Sequence, residues 1–122
     1  MNHTRWTALA QALDCVGDNG PMVSIKYIDR KAMDGPSHIH WQEFLQQGSE
    51  WCEWMDIHGC EPVHRGRLLA PALLDHSQAI QAVLKQLGQA FSQETQEHNA
   101  QGGPIFRVWG YVDGRQPPAL LR

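Results

Sequence analysis

At 122 residues the chain has room for one compact domain and not for two. With 42% apolar and 19% charged residues it has a globular rather than a disordered composition, and its longest apolar stretch, "LLAPALL" at 68–74, is far too short to cross a bilayer. The formal charge is −3, and Lys26, Arg30 and Lys31, with Arg65 and Arg67, are the nearest things to basic clusters, so the stripe that phosphate neutralisation requires is missing and no nucleic-acid partner is expected.

The opening segment, "MNHTRWTALAQALDCVGD", sets Arg5, Gln11 and Asp14 where a secretory signal needs a clean apolar run, which points to the cytoplasm. Three cysteines are then expected as reduced thiols, with Cys15 a small core residue. The same segment predicts a helix over 4–16. Thr4 can cap it, and Trp6, Leu9, Leu13 and Val16 recur on one face. "GDNGP" at 17–21 stops it. "MVSIKYID" at 22–29 then alternates as a half-exposed strand, with Val23, Ile25 and Tyr27 facing one way.

Ser37 after Pro36 predicts a helix over 37–48 that buries Trp41, Phe44 and Leu45 and ends at Gly48. The short, aromatic-rich "WCEWMDIH" at 51–58 reads as a strand. "PVHRGRLLA" at 62–70 is a candidate fourth strand. Behind Asp75, the spacing of Ile80, Val83, Leu84, Leu87 and Phe91 predicts a long helix that runs to "NAQGGP". "IFRVWGYVDG" at 105–114 is the last strand, with Phe106, Val108 and Val112 on a core face. The expected fold is a small two-layer α+β domain over 1–122. One mainly antiparallel sheet of three to four strands packs against two or three helices.

Histidine, cysteine and tryptophan concentrate in "HIHWQEFLQQGSEWCEWMDIHGCEPVH" at 38–64. On a helix His38 and His40 point about 200° apart and cannot grip one ion. They read as half-exposed residues at a helix start, and His3, His76 and His98 as solvated. Strict alternation along 51–58 puts Cys52, Trp54, Asp56 and His58 on one face, opposite Trp51, Glu53, Met55 and Ile57. Cys52 and His58 could then form a nucleophile–base pair oriented by Asp56. Alternatively Cys52, His58, Cys60 and His64 are ligand types that zinc prefers.

The last strand carries a competing surface. Ile105, Arg107, Trp109 and Tyr111 share its second face, a composition found at interaction hot spots. The first expectation is a cofactor-free, non-enzymatic binding or protein-interaction module that forms a homodimer. Its surface would be Arg107, Trp109 and Tyr111 with Trp51 or Trp54 nearby. A zinc- or thiol-dependent enzyme is the alternative, and a tryptophan-lined small-molecule pocket between the sheet and the third helix is another.

Overall fold

The chain is described by a computed structural model over residues 3–17, 20–28, 36–63, 72–95 and 103–110. Helix α1 (His3–Asp14) buries Trp6, Leu9, Ala10 and Leu13, the face set by the three- and four-residue spacing. Thr4 lies inside the helix rather than capping it. Cys15 is exposed, which corrects the expectation of a core thiol: the helix has ended, and Val16 takes the inward position instead. Gly17 and Gly20 each adopt a positive φ that suits glycine.

Strand β1 (Val23–Tyr27) keeps the expected alternation, with Val23 and Ile25 buried. The following segment departs from the expected helix over 37–48. Ser37 is no N-cap; it pairs with Val23 through both backbone hydrogen bonds, at 2.9 and 3.0 Å, and so lies extended beside β1. The helix begins only at α2 (Trp41–Glu43), widens into a π-helical turn (Phe44–Gly48) and tightens into a 3-10 turn (Ser49–Trp51). Trp41 and Phe44 are buried as predicted, since their spacing is local and survives the change of pitch.

Strand β2 (Cys52–His58) lies at the centre of the main sheet, between β1 and β6 (Pro104–Trp109), and β5 (Ser92–Thr95) closes the order β1-β2-β6-β5, antiparallel throughout. The fourth strand is therefore β5 and not residues 62–70. Of that stretch, Pro62 and Val63 belong to β3 (Cys60–Val63), which forms a separate ribbon with β4 (Ala72–Asp75), and 64–70 lie outside the described residues. The architecture is the expected small α+β domain, a mainly antiparallel sheet with three helices among the described residues.

Helix α3 (Ser77–Gln86) is shorter than its apolar stripe predicts. Gly88 adopts φ +65, and the Gln89 N–H reaches back to the Leu84 carbonyl at 2.9 Å, a glycine C-terminal cap that ends the helix before Phe91. At the other end the N-cap is His76, which makes no side-chain cap bond; in place of the expected Asp75 cap, the Asp75 carboxylate accepts from the Ser77 N–H at 2.9 Å and from its hydroxyl in a local turn. One core cluster joins Leu9 and Leu13 of α1, Trp41 and Phe44, Ile80 and Leu84 of α3, and the inward row Val23, Ile25, Met55, Ile57, Phe106 and Val108. All three helices thus serve one face of the sheet. Each large side chain fully desolvated there contributes roughly 1.5–3 kcal/mol.

Candidate functional site

With the helices on one face, alternation assigns the other face to Ser24 and Lys26 of β1, Trp54, Asp56 and His58 of β2, and Ile105, Arg107 and Trp109 of β6. Cross-strand register does the rest. Asp56 lies opposite Arg107 and Trp54 opposite Trp109. Arg107 donates through Nε to Asp56 Oδ1 at 2.7 Å and through Nη2 to Oδ2 at 3.0 Å, a two-pronged pair. Its guanidinium carbon sits 4.0 Å from the centroid of Trp54 and 5.8 Å from that of Trp109. Such stacking contributes about 0.5–2 kcal/mol per ring, and the carboxylate fixes the plane that does the stacking. The Trp109 Nε1–H is buried without an acceptor among the described residues. Beside this group Lys26 Nζ pairs with Glu53 Oε2 at 2.8 Å. Trp54, Arg107 and Trp109 are each half-buried, while Trp51, in the 3-10 turn before β2, is 51% exposed. Tyr111 lies outside the described residues.

The thiol–imidazole arrangement does not form. Lys26 pairs with Trp54 but Tyr27 pairs with Cys52, so Glu53 is an extra residue and the strand bulges there. The bulge turns Cys52 into the core cluster, fully buried, whereas Asp56 and His58 stay on the outer face. Burial pushes the Cys52 thiol up to about 12, the reverse of nucleophile activation. Asp56 gives both its oxygens to Arg107 and does not orient His58. The His58 Nε2 instead hydrogen-bonds with the Ser24 hydroxyl at 3.2 Å, and burial holds its pKa below the ordinary value.

Of the four zinc candidates, Cys52 and His58 lie on opposite faces and His64 lies outside the described residues. Cys60 is buried in β3, its thiol raised by burial and then by the charge and hydrogen bond of Asp75. Among the described residues no three His, Cys, Asp or Glu side chains converge as metal ligands.

A second polar cluster ties the ribbon to the body. Glu61 of β3 has His38 Nε2 2.7 Å from Oε2 and His76 Nε2 3.1 Å from Oε1. A carboxylate only accepts, so each Nε2 carries its proton toward a different oxygen. The three groups form a bridge. His76 is accordingly half-buried and partnered rather than solvated, and His38 precedes α2 instead of starting it.

The comparisons with known proteins yield one match. The model of DUF6678, described as a family of unknown function, matches residues 1–115. The chain belongs to the DUF6678 family. No curated protein and no solved structure matches it. The DUF6678 match spans both the outer sheet face and the Glu61 bridge. Sequence reasoning found Trp54, Arg107 and Trp109 in this DUF6678 chain, because alternation places them on their own strands. It missed Asp56 as the partner of Arg107, which needs strand register, and Glu61 altogether. One signal was available for the bulge. Strict alternation would drive the Glu53 carboxylate into the core row with Met55 and Ile57, a conflict that an extra residue removes.

Proposed function

We propose that the protein is a non-enzymatic interaction module whose docking surface is the outer sheet face, and that its partner is a second copy of the chain. The observation that carries this is the clamped stack of Trp54, Arg107 and Trp109 on the face that no described helix covers. Aromatic and arginine side chains held rigid before contact lose little entropy on docking, which is why they dominate interface energetics. Self-association is favoured by charge balance. Asp56 with Arg107 and Lys26 with Glu53 each sum to zero, so a two-fold copy meets no like-charged patch. The thiol and zinc alternatives lack comparable support, since Cys52 is turned away from the outer face.

Sedimentation of the purified full chain tests this reading. A concentration-dependent dimer is expected, which Trp54→Ser converts to monomer while far-UV circular dichroism is retained. Trp51→Ala, at an exposed position, guards against a folding defect and should weaken the dimer less. A protein that sediments as a monomer at all concentrations ends the self-association proposal. If an unrelated protein then docks and loses its hold in Trp54→Ser, the surface stands and the partner is different.

A further inference from the structure

We infer that His38 and His40 form a two-histidine site for a divalent ion of the zinc, nickel and copper group, with the Glu61 carboxylate orienting His38. On the expected helix the two rings would stand about 200° apart. The structure removes that obstacle. Ser37 is held beside Val23 by both backbone hydrogen bonds, and His40 has φ −83 and ψ 101, so both ends of the segment before α2 are extended. Burial alternates along it: Ile39 packs against the core cluster and Trp41 is buried, while His38 and His40 are exposed.

In extended backbone, residues two apart share a side, with Cα atoms about 6.5 Å apart. Imidazoles so placed can close on one ion, which sits about 2.0–2.1 Å from each ligating nitrogen. Ser37 is fixed to β1 and Trp41 to the core, so little backbone freedom is lost when the rings converge.

A second observation points the same way. Glu61 Oε2 lies 2.7 Å from His38 Nε2. A ligating histidine commonly gives its other ring N–H to a carboxylate, which sets the tautomer and raises the basicity of the free nitrogen. Here the free nitrogen is Nδ1, and neither it nor the ring of His40 has a partner among the described residues. Glu61 is itself steadied by His76 at Oε1.

The donor set selects the ion. Imidazole nitrogens suit zinc, nickel and copper, whereas magnesium and calcium take oxygen ligands. No third His, Cys, Asp or Glu converges with the pair among the described residues, so water completes the shell and the site stays open. It uses none of the four zinc ligands expected from the sequence, and it does not depend on the outer sheet face.

Calorimetric titration of the EDTA-treated full chain with Zn²⁺ and Ni²⁺ at about pH 7.5 tests this. A Cys15→Ser background removes the exposed thiol as a competing ligand. Saturable one-to-one binding is expected, undisturbed by a large excess of Mg²⁺. His40→Gln should weaken it by about tenfold or more and Glu61→Gln by roughly tenfold, each with its far-UV circular dichroism retained. His3→Gln, at another exposed histidine, should leave the affinity unchanged. In ¹⁵N-labelled protein, Zn²⁺ should shift the Nδ1 resonance of His38. The inference is overturned if neither ion binds saturably, if Mg²⁺ displaces them, or if His40→Gln or Glu61→Gln binds as the parent does. An equal loss in His3→Gln, or a zinc shift confined to other imidazoles, overturns it as well.

Discussion

Asp56 and Arg107 face each other across β2 and β6 with both carboxylate oxygens engaged, at 2.7 and 3.0 Å, and this pair sets the guanidinium over the Trp54 ring. Asp56→Asn weakens the clamp and leaves the cation half-buried among indoles. A loss of roughly 1–3 kcal/mol in urea unfolding is expected, since the Arg107 side chain keeps 24% exposure and the Asp56 side chain 10%. Arg107→Lys should not restore the wild-type value, because an ammonium cannot make the two-pronged contact and stack at once. Equal stability of the Lys variant and wild type would show that charge alone matters here.

Thiol labelling should divide the three cysteines. Cys15 is exposed and reacts in the native protein, whereas Cys52, with its thiol near 12, and buried Cys60 react only on unfolding. Mass spectrometry after a brief native exposure to iodoacetamide should find one modified thiol. Rapid alkylation of Cys52 would contradict its place in the core.

His58 makes stability pH-dependent. Burial holds its folded-state value below the ordinary 6.5, the Asp56 charge opposing that only in part. Below 6.5 the unfolded chain takes up a proton that the folded chain resists, so this contribution is full above 6.5 and is lost as pH falls toward the folded value. Thermal melts between about pH 7.5 and about pH 5 should show the decline, and His58→Gln should flatten it. Asp75, held low by the two Ser77 hydrogen bonds, acts in a separate window. Its contribution is complete above 3.8 and is lost below it as pH falls through its folded value.

Two glycines give contrasting expectations. A Cβ at Gly110 would meet the Cys52 carbonyl and the Trp6 ring, neither of which can yield, so Gly110→Ala should destabilise by about 2 kcal/mol or more. Gly88 has open space around it and only its positive φ to defend, so Gly88→Ala should lose about 1 kcal/mol. Denaturation midpoints that fail to order the two variants this way would place the strain elsewhere.

Glu61→Gln removes the charge that the two imidazoles share. Its expected signature is faster amide exchange in β3, with a loss of about 1 kcal/mol or less, since His38 is partly solvated. Exchange unchanged across Cys60–Val63 would assign the ribbon's stability to pairing with β4 alone.

The elements most legible in the sequence were those whose logic is local. The stripe of Trp6, Leu9 and Leu13, the alternation of Val23 and Ile25, and the facing of Phe106 against Arg107 all follow from a period that can be counted along the chain. Gly88 is equally local, but the apolar spacing continues through Leu87 to Phe91 after the helix has stopped, so the period alone runs past it. Leu87 is consequently 39% exposed. Ser37 misled for the opposite reason: a good cap residue was taken up by pairing with β1, a contact that only tertiary structure creates. The site was legible to the same degree. Single-strand facing was readable, whereas the Asp56 pairing and the Glu61 bridge join residues that meet only once strand order is fixed.

That strand order has a consequence for synthesis on the ribosome. Residues 104–109 supply β6, which lies between β2 and β5, so the four-stranded sheet cannot close until almost all of the described chain has been translated. Until then β2 has only β1 beside it, and Met55 and Ile57 await the Phe106 and Val108 row that completes their wall. Folding of the nascent polypeptide is therefore expected to finish late, with the β1–β2 pair waiting on β6.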